Sequence, residues 1–113
     1  MFMFTKSERY YYDREAILET NGRNCRSVWN IPTQAYPGAH FATFPPKLIE
    51  PCILAATRPG DFVLDPFFGS GTVGLVAQRL GRKYVGIELH PEYISLAVDR
   101  LRSDQPSVIK VAA

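Results

Sequence analysis

Residues 61–89 read DFVLDPFFGSGTVGLVAQRLGRKYVGIEL, and this stretch constrains the chain more than any other. Asp61 to Asp65 is a short apolar strand. Thr72 to Leu80 carries Val73, Val76 and Leu80 on one helical stripe, with Gly81 as its stop, and Lys83 to Leu89 is a second apolar run. Strand, loop, helix and strand in this length make one βαβ unit, so the two strands must lie parallel and the helix must cross between them. Between the first strand and the helix sits Gly69-Ser70-Gly71-Thr72-Val73-Gly74, a G-x-G-x-x-G loop. Glycine has no Cβ, so a ligand can approach this backbone closely, and the helix N-terminus behind it favours an anionic group.

The flanks extend the unit. A helix is expected to open where Thr43 and Phe44 precede Pro45-Pro46, with Leu48, Cys52, Ala55 and Ala56 at helical spacing, Pro51 as a kink point and Pro59-Gly60 as the end. Pro91 opens another, with Ile94, Ala97, Val98 and Leu101 on one face. Helices before and after the βαβ core would cover the faces of a parallel sheet, which predicts an α/β class. Residues 1–38 differ: they carry aromatics, turns at Asn21-Gly22 and Pro37-Gly38, a short strand candidate at Ser27 to Ile31, and no long period. That segment cannot bury its aromatics alone, which points to another chain or a missing segment. The expected division is an irregular part at 1–38, a ligand-binding βαβ region at 39–104 and a tail at 105–113.

Bulk properties exclude more than they select. A chain of 113 residues makes one small domain, and 46% hydrophobic with 21% charged residues is a globular composition. The formal charge of +2, from 13 basic and 11 acidic side chains, is too mild to indicate nucleic acid by itself. Arg79, Arg82 and Lys83 form the nearest basic cluster and read as a solvated helix end and turn, in preference to a nucleic-acid patch. Cys25 and Cys52 lie far apart with no C-x-x-C and no nearby His pair, so no zinc site is expected, and a reducing cytoplasm is the plain reading. No apolar run approaches the roughly 18–20 residues of a membrane span, and MFMF is too short for a signal sequence.

Two carboxylates sharpen the ligand. Glu88 follows Gly69 by nineteen residues, at the end of the second strand, where a carboxylate can accept both hydroxyls of a ribose. An adenosine ligand follows, unless the glycines merely make a tight turn and Glu88 faces water. Asp65 ends the first strand, where the middle of the ligand would lie. A dinucleotide puts pyrophosphate there and would be repelled. S-adenosylmethionine carries an ammonium and a sulfonium there, which a carboxylate favours through a charge-assisted hydrogen bond. The alternative for Asp65 is that it caps the loop through its own backbone.

Asp65-Pro66-Phe67-Phe68-Gly69-Ser70-Gly71-Thr72 resembles the S-adenosylmethionine-binding signature of the DNA amino-methyltransferases, which methylate adenine N6 or cytosine N4. Glu88 in GIELHPEY resembles their acidic ribose-binding motif. His40-Phe41-Ala42-Thr43-Phe44-Pro45 with its following helix, and the VWNIPT stretch upstream, resemble the segments around the donor's methionine end. The order HFATFP, DPFFGSGT, GIELHPEY is that of the beta subgroup, in which donor-binding motifs follow the catalytic one. The matching motifs fall between residues 28 and 101. The resemblance implies a partial Rossmann-like methyltransferase fold and a set of roles. Asp65 would hold the methionine ammonium, Phe67 and Phe68 would flank the donor, and Gly69 and Gly71 would let the loop pass close. Ser70 and Thr72 would contact the carboxylate end or cap the helix. Glu88 would take the ribose, and Thr43 and Phe44 would close the methionine side. Core packing is the alternative for Phe67 and Phe68, and helix capping for Thr43. His40 and His90 pair with no nucleophile and read as structural or exposed.

One departure matters. Enzymes of this family act through a tetrapeptide of Asp, Asn or Ser, then Pro-Pro, then an aromatic. Its oxygens accept the hydrogens of a poorly nucleophilic exocyclic amine while the ring stacks on a base taken out of the duplex. Here the one Pro-Pro is Phe44-Pro45-Pro46-Lys47, which has neither the acceptor nor the aromatic. In the beta order the tetrapeptide would lie upstream of residue 1. The chain therefore reads as the C-terminal, donor-binding part of such an enzyme, inactive alone, acting on DNA with a missing catalytic half or partner subunit. It would have a marginal fold with exposed apolar strand. Two other classes stay open: a non-catalytic S-adenosylmethionine-binding or assembly module, and a fragment of a dinucleotide-dependent oxidoreductase, against which Asp65 argues.

Overall fold

The computed structural model describes residues 1–34 and 43–104. The Pro37-Gly38 turn, His40 to Ala42 and the 105–113 tail lie outside the described residues.

Helix α1 runs Pro46–Ala56, strand β1 Phe62–Asp65, helix α2 Thr72–Arg79, strand β2 Lys83–Gly86 and helix α3 Pro91–Ser103. Pro46 and Pro91 each occupy the first turn of their helix, where the missing N–H costs nothing. α1 continues through Pro51 and ends at Thr57, whose N–H and hydroxyl both donate to the Ile53 carbonyl, at 3.1 and 2.6 Å.

β1 and β2 pair in parallel, with Val63 opposite Tyr84, Leu64 opposite Val85 and Asp65 opposite Gly86. The ladder is shorter than the apolar run to Leu89 suggests, because β1 leaves for the glycine loop after Asp65. Two bonds prolong the pairing: Ile87 N–H to the Asp65 carbonyl and Phe68 N–H to the Ile87 carbonyl, both 2.9 Å.

The core lies on one side of this sheet. Ile53, Val73, Val76 and Ala77 form its buried centre, with Ile49, Val63, Leu80 and Tyr84 packed against it. α1 therefore turns Ile49 and Ile53 inward together with Ala55 of the expected stripe, while Leu48 and Cys52 are only half-buried and Ala56 is exposed. α2 is buried continuously from Thr72 to Ala77 because the sheet and the two flanking helices surround it. On α3 the inward face is Ala97 and Leu101 with Arg100 beside them, while Ile94 and Val98 stay exposed.

The opposite sheet face is bare. Phe62, Leu64 and Val85 remain 66%, 63% and 49% exposed. The expectation of helices on both faces fails among the described residues, and the apolar side chains meant for the second layer face outward.

The N-terminal segment lies along α1. Asp13 N–H donates to the Ala55 carbonyl at 2.8 Å, and the Arg58 guanidinium sits 4.2 Å from the centre of the Tyr11 ring. A single 3-10 turn at Glu15–Ile17 is its regular element. Ser27 to Ile31 forms no strand; the Trp29 indole N–H donates to the Arg26 carbonyl at 2.6 Å, a local bond that curls the chain. Arg79 and Lys83 are exposed, as expected of a helix end and turn, while Arg82 is half-buried, and the three cations are tied to neighbouring groups. Arg79 Nε donates to both carboxylate oxygens of Asp104, at 3.1 and 2.9 Å. Arg82 donates to the Thr57 carbonyl at 2.7 Å, the Thr57 hydroxyl at 3.1 Å and the Leu80 carbonyl at 2.6 Å. Lys83 Nζ lies 5.2 Å from the centre of the Phe62 ring.

Candidate functional site

The C-terminal ends of β1 and β2 carry Asp65 and, two residues beyond Gly86, Glu88. The glycine loop arches from β1 into α2 above them. Gly71 stands at the start of α2 with φ of +77°, a left-handed conformation, and a Cβ there would meet Ala97 Cβ at 3.0 Å. α2 has no side-chain cap, so its first-turn N–H groups are left to water or a ligand.

Glu88 is built into the loop. One carboxylate oxygen, Oε2, accepts the Gly69 N–H at 2.7 Å. The other, Oε1, accepts the N–H groups of Leu89 at 2.8 Å and His90 at 3.0 Å. These backbone bonds, that from His90 first and then that from Gly69, hold the carboxyl below the ordinary glutamate range. The carboxylate does not merely face water: it ties the glycine loop to the start of α3. Oε1 has both lone pairs engaged, and Oε2 keeps one for a further donor.

Asp65 is half-buried. Its Oδ1 accepts the Phe67 N–H at 2.9 Å, which realises the loop-capping alternative on one oxygen, while Oδ2 accepts no hydrogen bond among the described residues. The two phenylalanines part company. Phe67 stands 89% exposed at the tip of the loop. Phe68 turns back under it, stacked on Tyr84 with ring centroids 6.0 Å apart and pressed against Gly74 and Gly86. Gly86 accordingly has no room for a Cβ.

Ser70 and Thr72 cap nothing. Both accept from Arg100, whose Nη1 lies 3.2 Å from the Ser70 carbonyl, 3.2 Å from the Ser70 hydroxyl and 2.9 Å from the Thr72 hydroxyl. Thr43 likewise caps no helix, since Pro45 occupies the cap position of α1. Thr43 and Phe44 line a cleft of about 340 Å³ with Leu75, Arg79, Arg100 and Asp104. Its walls include neither Asp65 nor Glu88. The structure thus gathers Asp65, Phe67 to Thr72 and Glu88 into one site and sets Thr43 and Phe44 in a cleft on its α2–α3 side, a cleft that Arg100, bonded to Ser70 and Thr72, also lines. Sequence reading misses Arg100; the one signal is a cation one turn from Ala97 on the inward stripe of α3. His90 is exposed, its ring 5.2 Å from Tyr93. No group of acidic, His or Cys side chains that could hold a metal occurs among the described residues.

A sequence profile described as DNA methylase (N6_N4_Mtase) matches residues 1–99. The chain belongs to this DNA methylase family. Membership removes the dinucleotide oxidoreductase alternative. Among its relatives, the type II methyltransferase M.Cfr9I of Citrobacter freundii is 61% identical over the whole of this chain, and M.SmaI of Serratia marcescens is 52% identical over 89% of it. The chain spans 39% and 37% of the lengths of these curated relatives. Two solved structures match its fold. The PvuII cytosine-N4-specific DNA methyltransferase aligns with a TM-score of 0.76 at 32% identity, covering 93% of this chain and 39% of that one. The M1.HpyAVI–SAM complex aligns at 0.68 with 30% identity, covering 85% and 45%. The fold is that of the S-adenosylmethionine-dependent methyltransferases, represented among the described residues by a two-stranded parallel sheet with helices on one face.

Proposed function

We propose that this chain is the donor-binding portion of a DNA amino-methyltransferase, which takes a methyl group from S-adenosylmethionine to adenine N6 or cytosine N4, and that it does not transfer methyl by itself. One observation carries the reading: two carboxylates, Asp65 and Glu88, flank a glycine loop at the ends of neighbouring parallel strands. A ligand with two phosphates at this point would meet the Asp65 carboxylate and be repelled. A ligand with an adenosine and a cationic amino-acid end suits it. The relatives support the choice, one solved as a SAM complex and another cytosine-N4-specific.

The chain's residues would divide the work as follows. Asp65 Oδ2 takes the ammonium, the free lone pair of Glu88 Oε2 takes a ribose hydroxyl, and the loop backbone passes beneath. Phe67, exposed at the tip, lies over the ligand. Phe68 holds the loop from below. When bound, the donor supplies an electrophilic methyl on its sulfonium. The acceptor amine must be held and relieved of its proton by groups this sequence lacks, so a complementary chain or segment is required. The bare face of Phe62, Leu64 and Val85 offers the surface for it. In such an assembly the partner is DNA, no membrane is involved, and the setting is cytoplasmic.

Calorimetric titration of the purified chain should show binding of S-adenosylmethionine and none of NADH. Asp65→Asn should weaken donor binding about tenfold, the scale of one hydrogen bond to a charged group. Incubation with labelled donor and DNA should leave the DNA unlabelled. Tight NADH binding, or labelled DNA from the chain alone, would overturn the proposal.

A further inference from the structure

We infer that Arg100 is a positioning residue for the donor's carboxylate, acting through the Ser70 hydroxyl. The inference rests on the donor-binding reading above and extends it to a residue on a different element. Arg100 Nη1 faces three acceptors at once: the Ser70 carbonyl, the Ser70 hydroxyl and the Thr72 hydroxyl, at 3.2, 3.2 and 2.9 Å. All three belong to the turn that opens α2, and Arg100 comes from the last turns of α3, thirty residues later. Thr72 is 3% exposed, so that end of the clamp is sealed from solvent.

The chemistry gives the clamp a direction. A guanidinium only donates, so each hydroxyl it touches is fixed as an acceptor on that side and keeps its single hydrogen for another partner. The Ser70 hydroxyl hydrogen has no acceptor among the described residues. Ser70 is half-buried at the loop, between Gly69 and Gly71. A charge-assisted bond on its oxygen makes that O–H a stronger donor, and bonds in series polarise one another. An O–H so placed takes an acceptor anion. On a donor whose cationic groups face Asp65, the anion is the carboxylate. Through these bonds Arg100 sets the rotamer and polarity of Ser70 and the path of the loop.

The test compares two ligands by calorimetry on the full chain. S-Adenosylmethionine has the carboxylate; 5′-methylthioadenosine keeps the adenosine and sulfur and lacks the amino-acid end. Arg100→Lys keeps charge, but its side chain ends a bond short of the Nη1 position from which all three contacts are made. It should weaken S-adenosylmethionine about tenfold and change methylthioadenosine less than about twofold. Ser70→Ala, a small change at a half-buried site, should do the same, and the double variant should be no worse than the more affected single one. A merely structural arginine would weaken both ligands in step. That result, or additive losses in the double variant, would overturn the inference. If the unaltered chain binds neither ligand, the donor-binding reading itself falls, an outcome the unaltered arm distinguishes.

Discussion

The Glu88 carboxylate accepts the Gly69 N–H at 2.7 Å, so the residue expected to recognise a ribose is also the strut of the loop that would receive the ligand. The two roles compete for the same oxygens. With Oε1 taking Leu89 and His90 and Oε2 taking Gly69, a bound ribose finds a preset carboxylate with one acceptor position open. Glu88→Gln keeps the shape but puts an NH2 group against at least one backbone N–H. We expect it to lower donor affinity by at least about tenfold and to speed hydrogen exchange at the Gly69 amide. Calorimetry and amide exchange by NMR read the two effects separately. Unchanged exchange at Gly69 would mean that the strut is absent in solution.

The same bonds set an acid limit. Glu88 and Asp104 both have carboxyls held below their ordinary range, Glu88 by the amides of His90 and Gly69, Asp104 by the Arg79 guanidinium. A carboxyl lowered in the folded state binds its proton more readily when unfolded. Its contribution is therefore complete above the unfolded value, about 4 for such groups, and is lost as pH falls through the lower folded value. Near neutral pH these two groups should make the urea unfolding midpoint no function of pH, and the midpoint should fall below about pH 4. Glu88→Gln and Asp104→Asn should each flatten that acid limb.

Gly86 lies against the ring of Phe68, closer than any real Cβ could approach. The near atoms belong to the body of the ring, which is itself wedged between Gly74, Tyr84 and the loop. Gly86→Ala should destabilise the chain by about 1–3 kcal/mol, the usual cost of overfilling a packed site. Chemical denaturation measures it, and a change under about 0.5 kcal/mol would show that Phe68 swings away freely. Phe68→Leu should restore part of the loss in the double variant.

The βαβ core was legible because its signals are local: two apolar runs, a helical stripe and a glycine loop at fixed spacing. Pro46 and Pro91 marked their helix starts for the same reason. The phase of α1 was not legible, since Leu48/Cys52 and Ile49/Ile53 both lie on a broad apolar arc and only packing against Val63 and Tyr84 selects between them. Asp65, Gly69 and Glu88 were readable as a group from their spacing. That Glu88 also braces the loop, and that Arg100 reaches Ser70 and Thr72 across thirty residues, depends on how α3 docks, which no local pattern encodes. Phe67 and Phe68 are adjacent in sequence and looked equivalent; the turn sends one ring outward and the other back against Tyr84, Gly74 and Gly86.

The bare sheet face yields the last prediction. Leu64 is 63% exposed and sits opposite Val85, between Phe62 and the end of the strand. Inside the isolated chain its side chain contributes little, so Leu64→Lys should change the urea midpoint by the equivalent of less than about 0.5 kcal/mol and should reduce self-association. A parallel strand meant for burial on both faces loses far more when its second layer is present, because a lysine there must be desolvated. If this face receives the complementary part of a methyltransferase, co-expression of the chain with the upstream portion of a close relative should yield DNA methylation. Leu64→Lys should abolish that methylation while leaving donor binding by the chain intact. The exposed Leu89→Lys, beyond the paired strand, serves as a comparison with a weaker effect. Full methylation with Leu64→Lys would show that the face stays in solvent and that assembly, if any, uses another surface.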